Sequence, residues 1–149
     1  MVFLADNNSI PLIEDLRTNV SFLQPEALTM LSSLAGVTEY VGLAGTASTT
    51  FNAPYALARR LSTLDHISGG RAAWNVVTST KDAEARNFGS AELMEHGKRY
   101  KRAEEFLQVV KECWDSWEDD ALVLDRQRAV FADTTQIHRV HHEGEFFKV

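Results

Sequence analysis

Apolar runs that close on polar residues recur three times along the chain, with helix-period stripes between them. Met1 to Ala5 is apolar and meets Asp6, Asn7 and Asn8. Tyr40 to Gly45 is followed by Thr46, Ser48, Thr49 and Thr50. Ala72 to Val77 holds Asn75 within it and closes on Thr78 and Ser79. Each reads as a strand with a polar C-terminal tip, at 1–5, 40–46 and 72–77. Between the first two lies a polar loop over 6–24 containing Pro11 and Asn19, then a helix opened by Pro25 and Glu26. Its stripe is Leu28, Leu31, Leu34 and Ala35, and it ends near Gly36. A second helix starts at Pro54, with Asn52 as a nearby cap. It buries Leu57, Leu61, Leu64 and Ile67 and stops at Gly69 and Gly70.

A helical turn follows around Asp82–Arg86. The longest helix is predicted at about 98–117. Ala103, Phe106, Leu107, Val110, Cys113, Trp114 and Trp117 recur there at steps of three and four. Beyond it the pattern weakens. Glu118-Asp119-Asp120 reads as an acidic turn. Val130-Phe131, Ile137 to His141 and Phe146-Phe147 are short β-like pieces, with Gly144 placed to turn the last two into a hairpin. The order β-α-β-α-β-α predicts an α/β fold with a parallel sheet over 1–117 and an irregular β-containing insertion over 118–149. In such folds ligands bind at the C-terminal edge of the strands.

Composition adds limits. The chain has 149 residues, enough for one domain with a core, and 44% are hydrophobic. The net charge of −6 argues against nucleic acid as a partner. The basic cluster Lys98-Arg99-Tyr100-Lys101-Arg102 reads as a solvated helical turn. A single cysteine, Cys113, excludes an internal disulfide, fits a reducing cytoplasm and falls on a helix's apolar face as a structural thiol. No apolar run approaches the roughly 20 residues that span a membrane. The opening run has no basic flank, so it is not expected to be a signal peptide. A first strand beginning at Met1 suggests a piece of something longer.

Taken in order, several segments resemble one family. They are Val2-Phe3-Leu4-Ala5-Asp6, Thr46-Ala47-Ser48-Thr49-Thr50, Ala58-Arg59-Arg60 running into Leu64-Asp65-His66-Ile67-Ser68-Gly69-Gly70-Arg71, and Trp74-Asn75-Val76-Val77-Thr78-Ser79. His96 with Arg99-Tyr100 and Ala103-Glu104-Glu105, and Trp114-Asp115-Ser116-Trp117-Glu118-Asp119-Asp120, complete the set. The chain resembles the nitrilotriacetate monooxygenase component A branch of the bacterial luciferase-like flavin monooxygenases. The resemblance implies a (β/α)8 barrel, of which this chain matches roughly strands two to four with their helices. It implies reduced FMN delivered by a separate flavin reductase, molecular oxygen, and a small organic substrate.

Carried over by position, the resemblance makes Asp6, Thr46, Asn75, His96 and Tyr100 flavin contacts, while the catalytic residues stay unassigned. The residues agree in kind. Asp6, Thr46 and Asn75 fall at or near predicted strand ends, and His96 and Tyr100, four apart, share a face at a helix start. Relatives are much longer, so the expectation is a truncated form with impaired or no activity alone. Its unpaired strand edges are compatible with a homo-oligomer.

Plainer readings stand beside these. Asp6 can cap a turn, Thr46 can be loop chemistry, and His96 can be a surface histidine. His66 near a helix C-terminus reads as structural. His138, His141 and His142 lack a companion acid or cysteine at ligand spacing, so no metal is expected. Gly42 and Gly45 do not make a dinucleotide fingerprint, and neither a P-loop nor a nucleophile elbow occurs. The alternative function is a non-catalytic α/β module acting only in association.

Overall fold

A computed structural model describes residues 1–9, 17–18 and 24–149. Pro11 and Asn19, expected in the loop over 6–24, lie outside the described residues. Three strands, β1 (Val2–Leu4), β2 (Leu43–Ser48) and β3 (Ala72–Val77), form a parallel sheet in the order β1-β2-β3. Val2 pairs with Leu43 and Leu4 with Gly45, while β2 and β3 run in register from Leu43↔Ala72 to Ser48↔Val77. The helices are α1 (Ala27–Ala35), α2 (Pro54–Ser68), α3 (Asp82–Asn87) and α4 (His96–Asp115). An antiparallel pair, β4 (Leu122–Asp125) and β5 (Val130–Ala132), and a short 3-10 turn at Thr134–Gln136 follow. The α/β class and the parallel sheet are as the sequence predicts.

Leu28, Leu31, Leu57, Leu61, Leu64, Phe106 and Val110 make the core, where α1, α2 and α4 meet the sheet. Gly45 lets α1 approach. A Cβ there would lie 2.9 Å from a Leu28 methyl and 3.0 Å from one of Leu31. The side chains of β2 alternate, so Leu43 and Gly45 face α1 while Ala44, Thr46 and Ser48 face the other way. Phe106 is fully buried between Trp74, tilted at 6.0 Å, and Phe147, edge-on at 5.5 Å.

Boundaries move for identifiable reasons. Expected from Tyr40, β2 begins at Leu43, and Tyr40 is 93% exposed. The intervening backbone is taken up by Arg71, whose guanidinium donates to the carbonyls of Ala35, Thr38, Val41 and Ser68 and to the Thr38 hydroxyl. Glu26 caps α1 by accepting from Leu28 and Thr29 backbone N–H groups at 3.2 and 2.7 Å. Burial would raise its carboxyl, but hydrogen bonds from Thr29 and Leu28 prevail and hold it below the ordinary value. Asn52 does not cap α2; its amide joins the Ser48 carbonyl to the Arg60 guanidinium.

Ile67 is 54% exposed, because the buried stripe of α2 runs on through Ser68. Gly69, at φ +66, ends that helix in the left-handed conformation. The short apolar, β-branched run of β3 suits a strand covered on both faces, yet Ala73 and Val76 are exposed, and β3 pairs, among the described residues, with β2 alone. The predicted span of about 98–117 shifts to His96–Asp115, because Glu95 caps Gly97 and Lys98 and Trp117 leaves the helix to bridge Ile137. Strand β4 was not anticipated. The chain does turn at Gly144, with its N–H donating to Phe147 and His142 pairing with Val149, but the expected partner segment differs: Ile137 bridges Trp117, and Glu143 pairs with Lys148.

Candidate functional site

The polar tips of the three strands gather at the sheet's C-terminal edge. Thr46 and Asn75 occupy paired positions of β2 and β3, and the Asn75 amide donates to the Thr46 hydroxyl at 3.0 Å. Their common face is turned away from α1. Thr46 accepts in this bond and so keeps its own proton to donate.

One layer nearer the edge, the Ser48 and Ser79 hydroxyls lie 2.8 Å apart, both buried. The Thr49 and Thr50 hydroxyls donate to the Val77 and Thr78 carbonyls, which ties the β2 loop to the end of β3. Ser79 has φ +63, a region costly for a residue with a Cβ, and its hydroxyl also reaches the Glu84 carboxylate at 2.9 Å. Glu84, the residue that sequence reasoning missed, is 3% exposed. The only sequence signal was an acid in the first turn of a short helix, and that marks no burial.

Asp6 stands two residues past the end of β1. Burial first, then the negative charge of Glu26, push its carboxyl above the ordinary value. Backbone N–H groups of Ala27 and Asn7 oppose this, and Glu84 adds to the rise. Asp6 and Tyr100 line one cleft of about 460 Å³, together with Val77, Thr78, Ser79, Glu84 and Glu104. His96, the first residue of α4, packs against Tyr100 with ring centroids 4.7 Å apart. The five predicted residues thus fall into two groups. Asp6 and Tyr100 share the cleft, with His96 on Tyr100, whereas Thr46 and Asn75 pair on the sheet and do not line it.

Together these groups offer carboxylate and amide acceptors, hydroxyl and amide donors, and an aromatic face. Such groups can hydrogen-bond and stack on a flat, polar-edged ring. Cys113, half-buried, has its thiol pushed up by burial and then by Glu112, which disfavours the reactive thiolate.

Arg102 and Glu105 are among the α4 residues on which the insertion docks. Arg102 donates to the Thr49 carbonyl and lies 4.6 Å over the Phe147 ring; burial lowers its pKa, against the pull of Glu105. Glu105 accepts from Phe146 and Phe147 N–H groups and from His142. His142 also faces Glu112 at 3.4 Å, and His138 pairs with Glu118 at 2.6 Å. Among the described residues no group of three His, Cys, Asp or Glu is arranged to hold a metal. No described helix is long and apolar enough to cross a membrane.

Known proteins resemble the chain throughout. The dibenzothiophene-sulfone monooxygenase of Rhodococcus erythropolis is 52% identical over 124 residues, 83% of this chain and 27% of that protein. Nitrilotriacetate monooxygenase component A of Aminobacter aminovorans matches to the same extent, 52% over 83% of this chain and 27% of its own. A riboflavin lyase solved with modified FMN and riboflavin superposes with a TM-score of 0.88 at 34% identity, over 99% of this chain and 34% of that one. The chain therefore spans about a quarter to a third of these relatives' length. Residues 2–149 match the family model described as luciferase-like monooxygenase, and the chain belongs to that family.

Proposed function

We propose that this chain forms strands two to four, with their helices, of a (β/α)8 barrel that binds reduced FMN and oxygenates a small organic substrate. One observation carries the reading: a family match over residues 2–149 coincides with polar residues on all three strand tips. Thr46 and Asn75 would serve the hydrogen-bonding edge of the flavin. Asp6 would accept from it, and the Tyr100 ring, backed by His96, would bound it. When bound, reduced FMN supplies the electrons with which dioxygen is activated. The residues' own work is to bind and orient the ring, with the donors held on hydrogen-bonded neighbouring strands.

The flavin would come reduced from a separate flavin reductase, with O2 as co-substrate. A chain holding three of the barrel's strands carries only part of the ring of strand tips, so little or no turnover is expected from it alone.

The test is an FMN titration followed by fluorescence. Quenching by the wild-type chain that His96→Ala and Tyr100→Ala abolish supports the reading. Absence of quenching at millimolar FMN, or quenching that both variants leave intact, overturns it.

A further inference from the structure

We propose that Glu84 is the positioning residue of the candidate flavin site, a buried hub that fixes the β1 and β3 tips relative to one another. The flavin part of this proposal rests on the reading above; the geometry does not.

Glu84 has almost no exposure, yet its carboxylate meets donors from two separate strand tips. One oxygen accepts from the Thr80 and Lys81 N–H groups, at 3.2 and 3.3 Å, in the loop leaving β3. The other accepts from the Ser79 hydroxyl at 2.9 Å and from the Asn8 N–H at 3.4 Å, in the segment leaving β1. Through Ser79 the chain of bonds continues to Ser48 on β2. The Asn8 carbonyl is held as well, by the Asn87 amide of the same helix at 2.7 Å. Both backbone groups of Asn8 are thus anchored on α3, seventy-odd residues away in sequence.

A buried carboxylate is costly to desolvate, and this one is retained where its acceptors hold a strained Ser79 and the approach to Asp6. A merely structural anchor for the β3 loop would not need the bond to Asn8. That bond sets where Asp6, two residues earlier, stands against Thr78 and Tyr100 in the cleft.

Glu84→Gln separates the two jobs. Its amide oxygen still accepts from Thr80 and Lys81, and its NH2 can donate to a reoriented Ser79 hydroxyl. It has nothing to offer the Asn8 N–H. Hydrogen exchange at Asn8 is expected to speed by about tenfold, with Thr80 and Lys81 unchanged. FMN affinity is expected to fall about tenfold while the urea midpoint moves little. Ser79→Gly, which removes the φ penalty but keeps Glu84, should leave Asn8 exchange unchanged.

Unchanged Asn8 exchange in Glu84→Gln overturns the hub. So does Asn8 exchange that rises only in step with every other amide, which would mean general loosening. If the wild-type chain fails to bind FMN, the flavin reading falls, and Asn8 exchange alone still decides the role of Glu84. If the wild type binds FMN and Glu84→Gln frees Asn8 without weakening FMN, the positioning role is overturned.

Discussion

The Asn75 amide nitrogen and the Thr46 hydroxyl oxygen lie 3.0 Å apart at paired positions of neighbouring parallel strands. A side-chain bond between register partners couples the two strands independently of the backbone ladder. It also orients the amide, so that its carbonyl oxygen is set by the fold rather than by a ligand. Thr46→Val and Asn75→Leu should each destabilise the chain, and the double variant should cost less than their sum. A coupling of about 1 kcal/mol is expected from a urea-denaturation double-mutant cycle. Strict additivity would mean that the bond contributes nothing in solution.

Asp6 should carry a distinctive pH dependence. Its carboxyl sits above the ordinary value of 3.8 because it is partly buried and faces Glu26. The folded state therefore favours the protonated form. That contribution is fully present below pH 3.8 and is lost as pH rises through the folded value. Asp6→Asn keeps an oxygen for the Ala27 N–H and abolishes the charge. It should raise the thermal midpoint at pH 7, and the gain should vanish by about pH 3. A variant less stable than wild type at pH 7 would contradict the assigned cause.

The element order and the polar strand tips were legible because they depend on local pattern. Alternation and helix period report which face is buried, and Leu28, Leu31, Leu57, Leu61 and Leu64 are core residues as their spacing predicts. What was not legible depends on partners distant in sequence. Glu84 is buried because Asn8, Ser79, Thr80 and Lys81 converge on it, and only Ser79, Thr80 and Lys81 are near it in the chain. Tyr40 and Val41 look like strand, but Arg71 draws their neighbourhood out of the ladder. The split of the five site residues into a cleft group and a sheet pair follows from the face each strand position takes. Proximity to a strand end does not report that face.

Arg71 should be among the costliest polar residues to replace. Its guanidinium makes five hydrogen bonds, all to neutral oxygens, joining the end of α1 and the loop before β2 to the start of β3. Among the described residues none of its partners is a carboxylate, so the interaction should be insensitive to salt. Arg71→Lys retains the charge but cannot present a planar fork to oxygens on several sides. A loss of about 2 kcal/mol is expected in urea denaturation, nearly the same at low and high ionic strength. A lysine variant as stable as wild type would show that the charge, not the fork, matters.

Glu105 should give the opposite pH signature to Asp6, on the far side of α4. Burial would raise its carboxyl, but N–H groups of Phe147 and Phe146, then His142, hold it below the ordinary value of 4.5. The folded state favours the carboxylate. Its contribution is present above pH 4.5 and is lost as pH falls through the lower folded value. The bonds it makes are those that dock His142–Val149 on the helix, against Phe106 and Arg102. Glu105→Gln keeps one acceptor oxygen but turns an amide donor toward groups that themselves donate. Amide exchange at Phe146 and Phe147 should accelerate at pH 7 in the variant. In the wild type the same acceleration should appear only on acidification below pH 4.5. If acid frees the segment equally in both proteins, another group controls its docking.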